Sequence, residues 1–163
     1  MQATPSRYLG SYLFQMDEKG RVALPAAFRR GSNGAGGAAA AAGASAKEAE
    51  QRFVLIQAYS PSLALYPESE WVAVEERLRE LKGHQPDARM YVLSVMSNAV
   101  EVTPDSQGRI LIPSRLKEAA GLEGQVLLVG AIDKVEIWNP KRFEAEVKAG
   151  SEGFDRFAPQ IFR

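Results

Sequence analysis

Short runs in which apolar side chains take every second place dominate this chain. Tyr12 and Phe14 precede the segment from Asp17 to Gly20, and Val22 and Leu24 follow it. Val100 and Val102 precede Asp105 to Gly108 in the same way, with Ile110 and Ile112 after it. A period of two predicts half-buried β-strands. Asp at the first place and Gly at the fourth fit a type I turn closing a hairpin, where glycine can take positive φ. Pro25 and Pro113 come next, each suited to a first helical position because its missing N–H is harmless there, and Gly121 can end the second short helix. Apolar runs at 53–56 and 63–66, and again at 126–129 and 135–138, predict two more strand pairs.

Between these blocks the period changes. Trp71, Val74, Leu78 and Leu81 recur at helical spacing, Gly83-His84-Gln85-Pro86 breaks the run, and 87–96 predicts a second helix with Met90, Leu93 and Met96 on one side. Asn139-Pro140 starts a last helix by cap and first-turn proline, with Phe143 and Val147 on its apolar side. Residues 150–163 read as a loose tail.

The blocks are two copies of one unit. Asp17, Gly20, Arg21 and Pro25 return identically 88 residues later as Asp105, Gly108, Arg109 and Pro113. Leu65-Tyr66 returns as Ile137-Trp138 at an offset of 72. The shortfall of 16 equals the length of 31–46, in which 13 of 16 residues are Gly or Ala, so the first copy carries an insertion read as a flexible surface loop. The expected organisation is a first repeat at 11–69 with its insertion, a helical connector at 70–97, a second repeat at 98–141, and a C-terminal helix and tail at 142–163. The fold class is mainly β with short helices, α+β.

Composition narrows the chemistry. The 163 residues include no cysteine and one histidine, which excludes disulfides, thiolate zinc sites and thiol nucleophiles. His84 sits in a helix-breaking turn and reads as a surface residue. Glu75, Glu76 and Glu80 are interleaved with Arg77, Arg79 and Lys82, as on a solvated helix face. No catalytic residue, metal, cofactor or small-molecule substrate is expected. No stretch resembles a membrane span or a signal peptide, so the expected location is the cytoplasm.

The repeated Asp-x-x-Gly-Arg-x-x-x-Pro is the main functional signal. Asp17, Gly20, Asp105 and Gly108 each have a structural task in the turn. A turn needs no guanidinium, so Arg21 and Arg109 either pair with a local carboxylate or are presented to an anion. Overall charge is zero, yet 7–30 holds five basic against two acidic residues and 105–117 three against one. That concentration favours a phosphate-binding face. Tyr66, Trp71, Trp138 and Phe143 align between the repeats and read as core anchors.

Together with Tyr8-Leu9-Gly10, Leu65-Tyr66-Pro67, Gly130 and Glu136-Ile137-Trp138, the doubled motif resembles the MraZ family over about 8–147. The resemblance implies two AbrB-like halves pairing as a swapped-hairpin β-barrel. It implies a cytoplasmic, nucleoid-associated repressor that binds double-stranded promoter DNA at short direct repeats ahead of its own division and cell-wall gene cluster. It also implies a homo-oligomeric ring. The family's basic hairpin residues carry over to Lys19, Arg21 and Arg29 in the first repeat and Arg109 and Arg115 in the second. This chain departs from the family in residues 1–6, in the insertion, and in Gln107 and Lys117 standing where the first repeat has Lys19 and Arg29. The rival reading is a ring-forming assembly or protein-interaction module in which the arginines join subunits through carboxylates.

Overall fold

A computed structural model describes residues 7–29, 51–59 and 61–162; the Gly/Ala insertion at 31–46 lies outside them. Among the described residues eight strands form in chain order: β1 (Ser11–Gln15), β2 (Arg21–Ala23), β3 (Phe53–Ile56), β4 (Leu63–Pro67), β5 (Val100–Val102), β6 (Arg109–Leu111), β7 (Gln125–Gly130) and β8 (Val135–Trp138). Helix α1 (Ala26–Arg29) follows β2, and α2 (Glu68–His84) follows β4. A 3-10 turn at Pro86–Ala88 leads into α3 (Arg89–Asn98); α4 (Ser114–Ala119), α5 (Pro140–Ala149) and α6 (Ser151–Ile161) come later. The architecture is the expected α+β one, mostly antiparallel sheet.

The strands flanking each Asp–Gly turn do not form a hairpin ladder with each other. Instead β1 pairs with β7 and β5 with β3, so each repeat lends its first strand to the other, and all six lie in one sheet ordered β1-β7-β8-β4-β3-β5. The remaining strands, β2 and β6, pair as a separate two-stranded ribbon. This is the swap the family resemblance implies. In the ribbon Val22 faces Ile110, its own counterpart 88 residues on, and between β4 and β8 Ala64 faces its counterpart Glu136. The repeats are therefore related by a pseudo-two-fold axis through both pairs.

Alternation explains how the sheet serves two cores. In β3 and β4, Phe53, Leu55, Leu63 and Leu65 join the main core with Val22, Ile110, Leu128 and Ile137 from the other elements. Their neighbours Val54, Ile56, Ala64 and Tyr66 point the other way and pack with Trp71 of α2 and Val95 of α3. A strand buried on both faces needs a continuous apolar run, and β3 and β4 supply it. Both repeats contribute to the main core, so neither can bury its apolar face alone.

The prolines sit one place earlier than a first helical position: Pro113 is the N-cap of α4, with extended ψ of 147°. Gly121 closes α4 as expected, its N–H donating to Glu118 O at 3.1 Å while Leu122 N–H reaches Lys117 O at 2.9 Å. Asn139 caps α5, accepting from Lys141 N–H at 3.0 Å and Arg142 N–H at 3.4 Å. Two further expectations need correction. On α3 the packed residues are Val92 and Val95, whereas Met90, Leu93 and Met96 face outward. The segment read as a loose tail is helix α6, because Phe154, Phe157, Ala158 and Ile161 carry the i, i+3, i+4, i+7 stripe of an amphipathic helix despite Gly153 and Pro159.

Candidate nucleic-acid interface

Each Asp–Gly turn is wired by its aspartate. Asp17 Oδ1 accepts from the backbone N–H of Lys19 at 3.0 Å and of Arg21 at 2.8 Å, while Gly20 N–H donates to Asp17 O at 3.0 Å. Asp105 repeats this with Gln107 and Arg109, both at 2.9 Å. Gly20 and Gly108 take φ of +83° and +75°, which a side chain would strain. These four residues hold the two turns.

The turn aspartates also hold the arginines. Arg21 Nε meets Asp17 Oδ2 at 2.7 Å and Arg109 Nε meets Asp105 Oδ2 at 3.0 Å. Arg109 Nη1 also approaches Asp17 Oδ2, at 3.8 Å, so the two repeats' turns share one charged cluster. All four side chains remain about one-third exposed. The sequence reading set local ion pairing and presentation to an anion as alternatives; the arginines are ion-paired. The pairing does not exhaust them, since a guanidinium has five N–H donors and each close pair engages Nε.

Ribbon register places these groups on one surface. Val22 and Ile110 point into the main core, so the alternate residues Arg21, Ala23, Arg109 and Leu111 occupy the outer face. Arg21 opposes Leu111 and Ala23 opposes Arg109, which sets the arginines on a diagonal. Diagonal neighbours of an antiparallel pair stand about 7–8 Å apart. Leu111, 52% exposed between them, was missed by the sequence reading. Its signal was its place in the period, two residues after Arg109.

The remaining candidates divide. Lys19 lies within the first turn, its backbone N–H held by Asp17. Arg29, at the end of α1, lies over the second repeat's turn, for a Cβ on Gly108 would stand 2.7 Å from its Nη1. Arg115 turns to the connector, its Nη2 donating to Ser97 O at 2.8 Å in the last turn of α3, where a cation suits the exposed carbonyls. Among the described residues no group of three or more His, Asp or Glu could hold a metal ion, and no helix is long and apolar enough to cross a membrane.

A family model described as "MraZ protein, putative antitoxin-like" matches the chain over 8–93 and 95–157. The chain belongs to the MraZ family. Relatives named "Transcriptional regulator MraZ" include those of Pediococcus pentosaceus and Moorella thermoacetica, each 32% identical over 154 residues, 94% of this chain and 96% of the relative. That of Caldanaerobacter subterraneus subsp. tengcongensis is 34% identical over 153 residues, 94% of this chain and 95% of its own length. The two matched stretches meet inside α3, so each carries one of this chain's two Asp–Gly turns.

Two predictions follow from the turn geometry. Alanine at Gly20 or Gly108 should cost about 1–2 kcal/mol through the left-handed φ. Gly20→Ala should be the worse, because its Cβ would press at 3.0 Å on the Ile112 carbonyl, whereas Gly108→Ala meets the movable end of Arg29. Urea unfolding of both variants measures the order. The second concerns acid. Backbone N–H groups of Arg21 and Arg109, and the neighbouring guanidiniums, hold the Asp17 and Asp105 carboxyls below the ordinary carboxylate value. A carboxyl depressed in the folded state contributes stability above its unfolded pKa and loses it as pH falls through the folded pKa. The turns should therefore be intact at neutral pH and loosen only below about pH 4. Carboxyl carbon shifts followed by NMR through that range should show both aspartates titrating below the ordinary carboxylate value.

Proposed function

We propose that this protein is a sequence-specific DNA-binding transcription regulator whose outer ribbon face docks on double-stranded promoter DNA. One observation carries the reading: β2 and β6, one from each repeat, form an exposed two-stranded ribbon whose outer face holds Arg21 and Arg109 on a diagonal. The DNA major groove admits a two-stranded β-ribbon, and arginine matches both the O6/N7 edge of guanine and phosphate. The turn aspartates orient the guanidiniums in advance. Leu111 adds an apolar surface of the kind that meets a thymine methyl. Lys19 and Arg29 supply charge beside the ribbon, and Arg115 enters the proposed set with one Nη already committed to Ser97.

The relatives' name supports a regulator, and the family resemblance supports a repressor of the chain's own division and cell-wall gene cluster. On this reading it acts as a cytoplasmic, nucleoid-associated homo-oligomeric ring on short direct repeats. Weak contacts to successive repeats gain useful affinity when several copies are held together. The domain division at 70–97 and 98–141 belongs to the same proposal, with one ribbon strand from each repeat.

An electrophoretic shift with the protein's own upstream DNA against scrambled competitor tests it. Preferential binding that weakens with salt is expected, and Lys19→Ala should lower the salt slope by about one for a lost phosphate contact while weakening all sequences alike. Equal binding to both DNAs would remove the regulator reading. The second reading, a pure assembly module, draws on the Asp–Arg pairs themselves. It predicts no shift at any salt concentration.

A further inference from the structure

Between α2, α3 and the outer face of β3 and β4 runs an open groove of about 280 Å³. Trp71 and Val74 of α2, Ile56 of β3 and Tyr66 of β4 line its apolar interior, and Tyr59 and Tyr91 stand at its lip, 72% and 56% exposed. Helix α3 sends Val95 to the sheet side and turns Met90, Leu93 and Met96 outward, and the space beside Trp71 stays open. At ~30 Å³ for each water the groove has room for about nine, which puts it near the lower end of the ~300–1,000 Å³ usual for ligand pockets.

Arg77 is the single charged residue among those lining the groove. It precedes Leu78 on α2, at the edge of the face that Trp71, Val74 and Leu78 turn inward. Among the described residues its guanidinium forms no hydrogen bond and no ion pair. Lys134, the other cation beside Tyr66, is engaged already: its Nζ meets Asp133 Oδ1 at 3.5 Å and lies 5.4 Å from the centre of the Tyr66 ring. Burial pushes the Tyr66 hydroxyl's pKa up; Lys134 and Arg77 act against that rise and Asp133 with it. The charge of Arg77 therefore reaches the groove's interior.

We propose that this groove binds a small aromatic carboxylate, its ring against Trp71 and Tyr66 and its carboxylate on Arg77. Ligand sites have mainly apolar and aromatic walls with a few polar groups that fix orientation, and this groove has that composition. Indole and phenol faces suit a flat ring, stacked offset or met edge-on. The planar guanidinium matches the two oxygens of a carboxylate, and one unpaired cation suits a single negative charge. A body of one or two rings fills the volume. The groove belongs to the connector and the six-stranded sheet, whereas Arg21 and Arg109 lie on the separate ribbon, so this inference stands apart from the DNA-binding reading.

The test uses the full-length chain, without DNA, labelled with 5-fluorotryptophan. Two fluorine resonances result, from Trp71 in the groove and Trp138 on β8, and Trp138→Phe assigns them. The probe is 2-naphthoate, with the uncharged 2-naphthalenemethanol as its control. Naphthoate at millimolar concentration or below should shift the Trp71 resonance saturably and leave that of Trp138 in place. The alcohol should bind about tenfold more weakly or worse, the effect of losing one hydrogen bond between charged groups. Arg77→Gln, at an exposed position, should bring naphthoate down to the alcohol's affinity. Tyr91→Ala, on the lip, should weaken both ligands alike, and both variants should melt as the parent does. A Trp71 resonance that naphthoate leaves unmoved overturns the proposal, as would happen if another protein surface covered the groove. So do equal shifts of both tryptophans, which mean diffuse adsorption. Alcohol that binds as tightly as naphthoate, or an Arg77→Gln protein that binds naphthoate like the parent, overturns the carboxylate assignment.

Discussion

In the double variant Arg21→Ala/Arg109→Ala, promoter affinity is expected to fall further than in any other surface change, with little change in melting temperature. Each arginine that reads a base edge contributes about 1–3 kcal/mol. The pair should fall short of the sum of the singles, because both guanidiniums address Asp17, at 2.7 and 3.8 Å, and neighbours that share a partner do not act independently. Stability should hold, since partly exposed ion pairs contribute little to folding. Arg21→Lys separates charge from shape: lysine keeps the positive charge but lacks the planar fork. It should preserve the salt slope and lose preference for the promoter over scrambled DNA. Titration of each variant against both DNAs, with a parallel thermal melt, gives the result. Should the double variant melt lower or fall apart while its folded fraction binds with unchanged affinity, the arginines are scaffold residues and the DNA face lies elsewhere.

Much of this was legible because it is local. The turn at Asp17 needs only an acceptor two and four residues ahead of the amides it holds, and a glycine at φ +83°; both are written in four consecutive residues. The Asn139 cap and the Gly121 closure of α4 are local in the same way. Partner choice is not. Alternation in β1 says that one face is buried but not against which strand, and its pairing with β7 spans more than 100 residues of chain. Only the family resemblance pointed to the swap. The diagonal of Arg21 and Arg109 depends on that swap, so the repeated motif could nominate both arginines without showing that they share a surface. The ion pairs to Asp17 and Asp105 were legible as one of two alternatives, since an i, i+4 separation in a tight turn allows them. Arg115 entered the basic set through the family resemblance, which carries no direction for its side chain; its Nη2 reaches the Ser97 carbonyl in a connector that sequence places in a separate segment. Helix α6 replaces the loose tail expected at 150–163 because the apolar period of Phe154, Phe157, Ala158 and Ile161 persists through Gly153 and Pro159.

The largest expected loss of stability comes from Phe28→Ala. Helix α1 has four residues, too few to persist without tertiary support. Its one buried side chain is Phe28, 1% exposed, which meets Tyr8 edge-on at 5.8 Å and Tyr12 at 5.1 Å. Removing a buried phenylalanine costs about 3–5 kcal/mol, a large share of the ~5–15 kcal/mol that holds a domain folded. The effect should also reach the ribbon, because Arg29 is the next residue and its guanidinium lies on the Gly108 turn. The equivalent residue of the second repeat, Leu116, is 2% exposed. Leu116→Ala should cost about 2–5 kcal/mol, yet it leaves α4 with its Gly121 closure and buried Leu122. Urea unfolding should therefore show both variants destabilised, while amide exchange in the surviving native state should rise at 26–29 in Phe28→Ala and stay low at 114–119 in Leu116→Ala. Arg29→Ala completes the comparison: it should weaken DNA binding with the unfolding midpoint unmoved. A Phe28→Ala protein that loses less than about 1 kcal/mol would mean that α1 is held by something other than its aromatic anchor.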